Sequence, residues 1–342
     1  MQRSLSVRIA FLILFGAALG VVGCRQQPKG KPQAAVDYSQ VVIPAFSTDS
    51  AYAYIADQVK MGPRTPGSDA HRRCAAYLIS QLQRWCDTVV IQSFTATLWD
   101  GTTAQGSNII GSIGSGNRNR ILIAAHWDSR LWADHDSEAA RWKQPIPGAN
   151  DGASGVGVIL ELARTMSAMP PNVGVDFILF DLEDQGTPEW ADAHDSESWC
   201  KGSQYWSRNL HQPFYTARYG VLYDMVGSQH PRFTREDVSR QYANGVLNKY
   251  WDAAAQMGYG NIFLNLYTDP ILDDHYYINT LAHIPTIDIV QNSGTGNFFE
   301  HWHTLGDDID CINPETLGIV GTVTLKALYG DYPATDKRRK EE

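Results

Sequence analysis

The feature that most constrains this chain is a series of apolar runs that each stop on an acid or an imidazole. RILIAA at 120–125 leads into His126-Trp127-Asp128, VDFILF at 175–180 into Asp181-Leu182-Glu183-Asp184, and GVLY at 220–223 into Asp224. Short continuous apolar runs suit central strands buried on both faces. Between them lie stretches with helical spacing. HRRCAAYLISQLQRW at 71–85 puts Ala75, Leu78, Ile79, Leu82 and Trp85 on one face, with Ser68 or Asp69 available as a cap. Further helices are expected over about 152–168, 239–257, 274–282 and 314–328, and further strands at 88–97, 261–266 and 285–290. Alternating strands and helices predict one α/β domain, its central sheet mixed and mostly parallel with helices on both faces.

In such a sheet the loops leaving the carboxyl ends of the strands converge on one crevice. The residues to collect there are His126 and Asp128, Asn150-Asp151 in PGANDGASG, Glu183 and Asp184, Asp224, Asp273-Asp274-His275, and Glu300-His301-Trp302-His303-Thr304. Singly, each has an ordinary reading: Asp151 as a helix cap, Glu183 and Asp184 as a solvated loop, Asp224 as a turn residue, His126 as a satisfied rim histidine. Jointly they are too many like charges for one sheet edge unless a cation or shared protons compensate them. Carboxylates with imidazole and an open position form the donor set of a catalytic zinc. The chain has no HExxH helix, so its ligands must come from separate loops.

Composition removes other classes. Lys+Arg 28 against Asp+Glu 37 gives a net charge of −9, and removal of Arg3 and Arg8 with a leader makes the chain more acidic still, so no nucleic-acid partner is expected. Residues 1–23 have the basic start and apolar run of a signal peptide, and Val21-Val22-Gly23-Cys24 resembles the lipobox of bacterial lipoproteins. That resemblance implies cleavage before Cys24, lipidation of its thiol, and an exported protein, periplasm-facing or at the cell surface, that meets membrane through the lipid alone. Residues 24–40 are expected to be a tether, 41–330 the catalytic domain and 331–342 a charged tail. The exported part retains Cys74, Cys86, Cys200 and Cys311, which permit two disulfides in three connectivities. Cys74 and Cys86 fall on one predicted helix about 18 Å apart along its axis and are not expected to pair.

The motifs and their order resemble a known group. GPRTPGS at 62–68, AAHWDSR at 124–130, PGANDGASG at 147–155, FDLED at 180–184, DMVG at 224–227, DDH at 273–275, IPTID at 284–288 and WHT at 302–304 are similar to segments of the zinc aminopeptidase-like superfamily. Within it they look most like the glutaminyl-peptide cyclotransferases of the animal type and their bacterial counterparts. The resemblance covers residues 48–328. It implies Asp151, Asp184 and His303 as ligands of one zinc, Glu183 as the acid/base, Asp224 and Asp273 as acids sharing its hydrogen-bond network, and Trp302 as the aromatic wall for substrate. Asp184 stands where the animal enzymes have Glu, and Asp288 where they have His, which leaves the role of Asp288 in substrate binding open. Trp190, in the long stretch 185–201, is a second candidate aromatic contact.

The implied reaction is cyclisation of an N-terminal glutamine to pyroglutamate with release of ammonia, on peptides or exported proteins, by a monomeric enzyme. A zinc aminopeptidase is the alternative, since His126, Asp151, Asp184, Asp224 and His303 match the positions that bind two metals there. A non-catalytic binding module on the same fold is a third. Asp273 and Trp302 favour the cyclase, because aminopeptidases of the superfamily resemble SDH and YH at those places.

Overall fold

The computed structural model describes residues 36–292 and 298–334. Residues 1–35, with the expected signal peptide and Cys24, lie outside the described residues, as does 335–342 of the expected tail. The compact unit begins at Asp37.

Two helices, α1 (Thr48–Lys60) and α2 (Asp69–Trp85), precede a hairpin of β1 (Thr88–Thr97) and β2 (Thr103–Ile113). Then come β3 (Arg120–His126), α3 (Ala153–Ala168), β4 (Gly174–Phe180), α4 (Lys201–Arg208), β5 (Gly220–Asp224) and β6 (Phe233–Glu236). The chain continues through α5 (Asp237–Gln256), β7 (Phe263–Thr268), α6 (Asp274–Thr280), β8 (Thr286–Val290) and α7 (Pro314–Asp331). Six strands form one sheet in the order β1-β2-β4-β3-β5-β8. The β1/β2 and β2/β4 pairs are antiparallel; β4/β3, β3/β5 and β5/β8 are parallel. The single α/β domain with a mixed, mostly parallel sheet is therefore as expected.

Every residue of β3, β4, β5 and β8 is buried, which is why these strands read as unbroken apolar runs rather than alternating ones. Period two still decides which helix each residue meets. Leu122, Ala124, Ile178, Phe180 and Leu222 pack with Trp206 of α4 and Ile278 of α6. On the other face Tyr223 donates to or accepts from Thr324 of α7 at 2.6 Å. There α3 approaches so closely that a Cβ at Gly155 would lie 2.5 Å from the Tyr223 carbonyl oxygen and 2.8 Å from Ala125 Cβ. Each fully buried large apolar side chain in these layers contributes roughly 1.5–3 kcal/mol.

Some expectations need correction. The strand expected at 261–266 is β7, which pairs with β6 in a separate two-stranded sheet outside the main one. Residues 37–40 are not free tether: Tyr38 is buried and its amide donates to Gln256 Oε1 at 2.8 Å. Likewise Asp331 closes α7 and Ala334 bridges Pro171, so the folded body extends past 330. Ser68 caps α2 by accepting the His71 amide, and Cys86 caps its other end. The two permitted disulfides do not form; Cys74, Cys86, Cys200 and Cys311 are all free. Among the described residues no helix is long and apolar enough to cross a membrane.

Candidate active site

The chain turns to one side of β3 to make β4 and to the other to make β5, so the crevice opens at the carboxyl end of β3. Two long segments, from Trp127 to Gly152 and from Asp181 to Cys200, leave these strands and must be held in shape without a ladder of their own. Arg64, fully buried, does this for the first: Nε donates to the Trp127 carbonyl at 2.9 Å, and Nη1 and Nη2 to those of Pro147 and Gly148 at 2.6 Å each. Asp307 accepts the amides of Asn150 (2.7 Å) and Asp151 (3.1 Å). Asp128 shapes the second segment by accepting the amides of Glu183 (3.1 Å) and Asp184 (3.2 Å). These clamps explain why GPRTPGS and HWD belong with the chemistry although neither Arg64 nor Asp128 reaches the cavity.

The result aims carboxylates inward. Asp151 does not cap α3; the cap is Gly152, which makes no side-chain bond. Asp151 Oδ1 instead lies 3.0 Å from His126 Nε2, and its Oδ2 3.6 Å from His303 Nε2. His303 Nε2 is also 3.1 Å from Asp184 Oδ1. Asp224 Oδ1 lies 3.2 Å from His126 Nε2. A Cβ at Gly152 would sit 2.5 Å from the His126 ring, so only glycine lets the loop pass. Asp273, the cap of α6, places a carboxylate oxygen within 4.8 Å of both Glu183 and Cys200 ligand atoms.

The electrostatics are those of an uncompensated acid cluster. Burial first, and then the charge of Asp151, push the Asp184 carboxyl well above its ordinary range, with Arg130 opposing. Glu183 is pushed the same way by burial and by Asp273, Asp274 and Asp224, against His126. Burial and Asp151 raise Asp224 to about 7. His303 moves down, through burial and then Arg130, and so stays a neutral imidazole with a free lone pair. Both Asp184 oxygens and His303 Nδ1 are buried without a hydrogen-bond partner, which costs free energy unless something else satisfies them. Asp151, Asp184 and His303 offer ligand atoms all within 4.8 Å of one another, and His126, Asp151 and Asp224 do likewise. Two carboxylates with a neutral imidazole fit zinc, and Asp134 Oδ1, 3.7 Å from His303 Nδ1, stands where an orienting carboxylate belongs.

A cavity of about 160 Å³ opens over this group. Asp151, Glu183, Asp184, Asp224, Asp273, Trp302 and His303 all line it, together with Trp199 and Leu272. Trp302 stacks on His303 at 3.9 Å and Trp199 on the same ring at 5.9 Å. Two expected substrate contacts fall elsewhere. Trp190 is not in the lining; it packs against Trp132 and Trp142, and Trp199 takes the second aromatic place. Asp288 pairs in register with Leu222, so it points under the site toward α6, where its Oδ2 is 3.7 Å from His275 Nδ1. Trp199 and Cys200 went unassigned in the sequence because the segment 185–201 carries no periodicity to orient them.

An open α/β sheet with buried acids and imidazoles gathered at its strand ends is an architecture that can hold a metal ion at the sheet edge. The chain belongs to peptidase family M28, whose profile matches residues 108–328. Among solved structures it is similar to a glutaminyl cyclase of Bacteroides thetaiotaomicron bound to N-acetylhistamine, at 44% identity and TM-score 0.82 over 84% of this chain and 99% of that one. A leucine aminopeptidase precursor from Bacteroides thetaiotaomicron VPI-5482 matches equally, at 44% identity and TM-score 0.82 over the same shares, 84% and 99%. A Tannerella forsythia glutaminyl cyclase matches at 43% and 0.81, again over 84% and 99%. With aminopeptidase YwaD of Bacillus subtilis (strain 168) it is 28% identical over 220 residues, 61% of this chain; the match spans only 40% of that curated relative's length.

Proposed function

We propose that this chain is a zinc-dependent glutaminyl-peptide cyclotransferase, which closes an N-terminal glutamine to pyroglutamate and releases ammonia. The observation that carries the reading is Asp273, a buried carboxylate beside Glu183 in a cavity walled by Trp302 and Trp199. The similarity to solved glutaminyl cyclases supports it. Asp151, Asp184 and His303 would hold one zinc ion, which when bound polarises the γ-carbonyl and stabilises the developing oxyanion.

The chain's own groups do the rest. Trp302 and Trp199 present apolar faces to the stem of the glutamine side chain and exclude water from it. Glu183 accepts the proton of the attacking α-amine as the ring N–C bond forms, then returns it to the departing amide nitrogen as the C–N bond breaks. Burial raises the carboxyls of Glu183 and Asp224, the latter to about 7, so beside the acid/base Asp224 can hold or release a proton near neutral pH.

The aminopeptidase alternative is favoured by one observation: His126, Asp151 and Asp224 remain placed to hold a second cation. Protein lacking residues 1–24 separates the two. Incubated with a Gln-initiated and a Leu-initiated peptide, with and without chelator, the cyclase removes ammonia from the first alone and is blocked by chelation; release of free leucine selects the aminopeptidase.

The leader and Cys24 support a lipid-tethered, exported enzyme, which on this proposal acts as a monomer on peptides or exported proteins with N-terminal Gln. Fatty-acid labelling that is lost in Cys24→Ala tests the anchor.

A further inference from the structure

Four tryptophans lie beside the cavity without entering it. Trp190 meets Trp132 edge to face at 6.0 Å and stacks on Trp142 at 6.4 Å, and Trp132 meets Trp99 at 6.0 Å. All four are half-buried and come from loops: the β1–β2 hairpin, the segment after β3 and the segment after β4. Single partly exposed aromatics are ordinary, whereas four in mutual contact form an apolar surface on which another chain can lie.

The patch is tied to the cavity on two sides. Arg130, buried and paired with Asp134, lies over the Trp199 ring of the cavity wall at 4.6 Å and over the Trp132 ring at 5.4 Å. On the other side the His135 ring stands 4.3 Å from Trp302, and its Nε2 is 3.4 Å from Oε1 of Glu189, the neighbour of Trp190. The cavity of about 160 Å³ is well below the ~300 Å³ or more of a drug-sized site, so it takes little beyond one side chain. The rest of a peptide has to lie outside it, and the indoles are the aromatic surface joined to the cavity wall through Arg130.

We propose that this tryptophan ledge binds the residues following the substrate's N-terminal residue and favours aromatic or large apolar side chains there. The proposal rests on the cyclase reading above. Flat, rigid indoles bury area at low entropic cost, so affinity follows the apolar surface laid on them. The carboxylates of Glu300, Asp308 and Asp310, around the polar groove beyond Phe298, would instead select cationic side chains.

The test compares Gln-Phe-Phe, Gln-Gly-Gly and Gln-Lys-Lys as substrates of the zinc-loaded enzyme. The KM for Gln-Phe-Phe is expected to be about tenfold below that for Gln-Gly-Gly, with similar kcat. In Trp132→Ala and in Trp142→Ala that ratio falls to within about twofold, and Trp142→Phe restores most of it, which separates loss of contact from loss of fold. Equal KM values, a preference for Gln-Lys-Lys, or a ratio that survives both alanine variants overturns the ledge while leaving the cyclase intact. Failure to cyclise any of the three peptides overturns the cyclase and the ledge together.

Discussion

The thiol of Cys200 donates to Oε1 of Glu183 at 3.1 Å, while the Cys200 amide donates to the Glu183 carbonyl at 2.9 Å. One residue thus fixes both the backbone and the carboxylate of the proposed acid/base, seventeen positions earlier in the chain. Cys200 sits in the left-handed region at φ 55°, a conformation that costs a non-glycine residue free energy and is held by its surroundings.

Glu183→Gln is expected to lower kcat for the Gln peptide by at least ~10²-fold, because the amide cannot relay the proton. Zinc content by elemental analysis and the thermal midpoint should stay near those of the parent protein. A variant that keeps most of its turnover removes Glu183 from that role.

Cys200→Ala removes one hydrogen bond to the carboxylate, worth about 1 kcal/mol, and is expected to lower kcat by roughly fivefold with KM little changed. Cys200→Ser keeps a donor and should recover most of the loss. Equal kcat in all three proteins shows that the thiol only fills space.

Chelation should cost stability as well as activity, since a cation that binds only the folded chain stabilises it by mass action, about 2.7 kcal/mol at a hundredfold excess over Kd. For a chain of this size that is a fall of roughly 4 °C in Tm by calorimetry. His303→Ala should show the lower Tm already and respond to chelator much less than the parent.

Arg64→Ala takes a donor from the carbonyls of Trp127, Pro147 and Gly148, of which only Gly148 keeps another, the Ala153 amide at 3.3 Å, and opens a void between the loops that carry Asp128 and Asp151. The expected cost is roughly 2–5 kcal/mol in urea unfolding, with zinc retention falling alongside. Activity retained at full zinc occupancy shows that the loops hold their shape without it.

Glu236 gives a pH dependence away from the metal ligands. Burial alone would raise its pKa, but His275, 3.2 Å away, and the bonds from Ser239 lower it to about 2. A depressed carboxylate stabilises the fold above its unfolded value near 4.5, and the contribution fades as pH falls toward 2. Glu236→Gln should therefore cost about 3 kcal/mol near neutrality and converge with the parent protein by pH 2. A gap that does not narrow on acidification assigns the loss to packing.

Much of the fold was legible because buried parallel strands and amphipathic helices write their period into the chain. The strands at β3, β4, β5 and β8 and the helices α2, α3, α5 and α7 lie close to their expected spans. Less visible were α1, β2 and α4. In β2 the alternation breaks across Gly106 and Gly111, and a Cβ at Gly106 would strike Phe94. In α4 eight residues give too short a window for a period to emerge.

The sequence by itself determined the order of strand ends, and so brought Glu183, Asp184 and Asp224, each at or just past the end of a parallel strand, to one edge, where Asp151, Asp273, Trp302 and His303 join them in one cavity. That follows from topology, since every parallel strand delivers its terminal residue to the same edge. Only the tertiary structure decided where side chains beyond the strand ends point. It set Trp199 rather than Trp190 against His303, turned Asp288 beneath the site, and brought Cys200 to Glu183. The reason is physical: residues in a loop have no ladder to orient them, and their directions come from distant clamps such as Arg64, Asp128 and Asp307, whose partners no local period reveals.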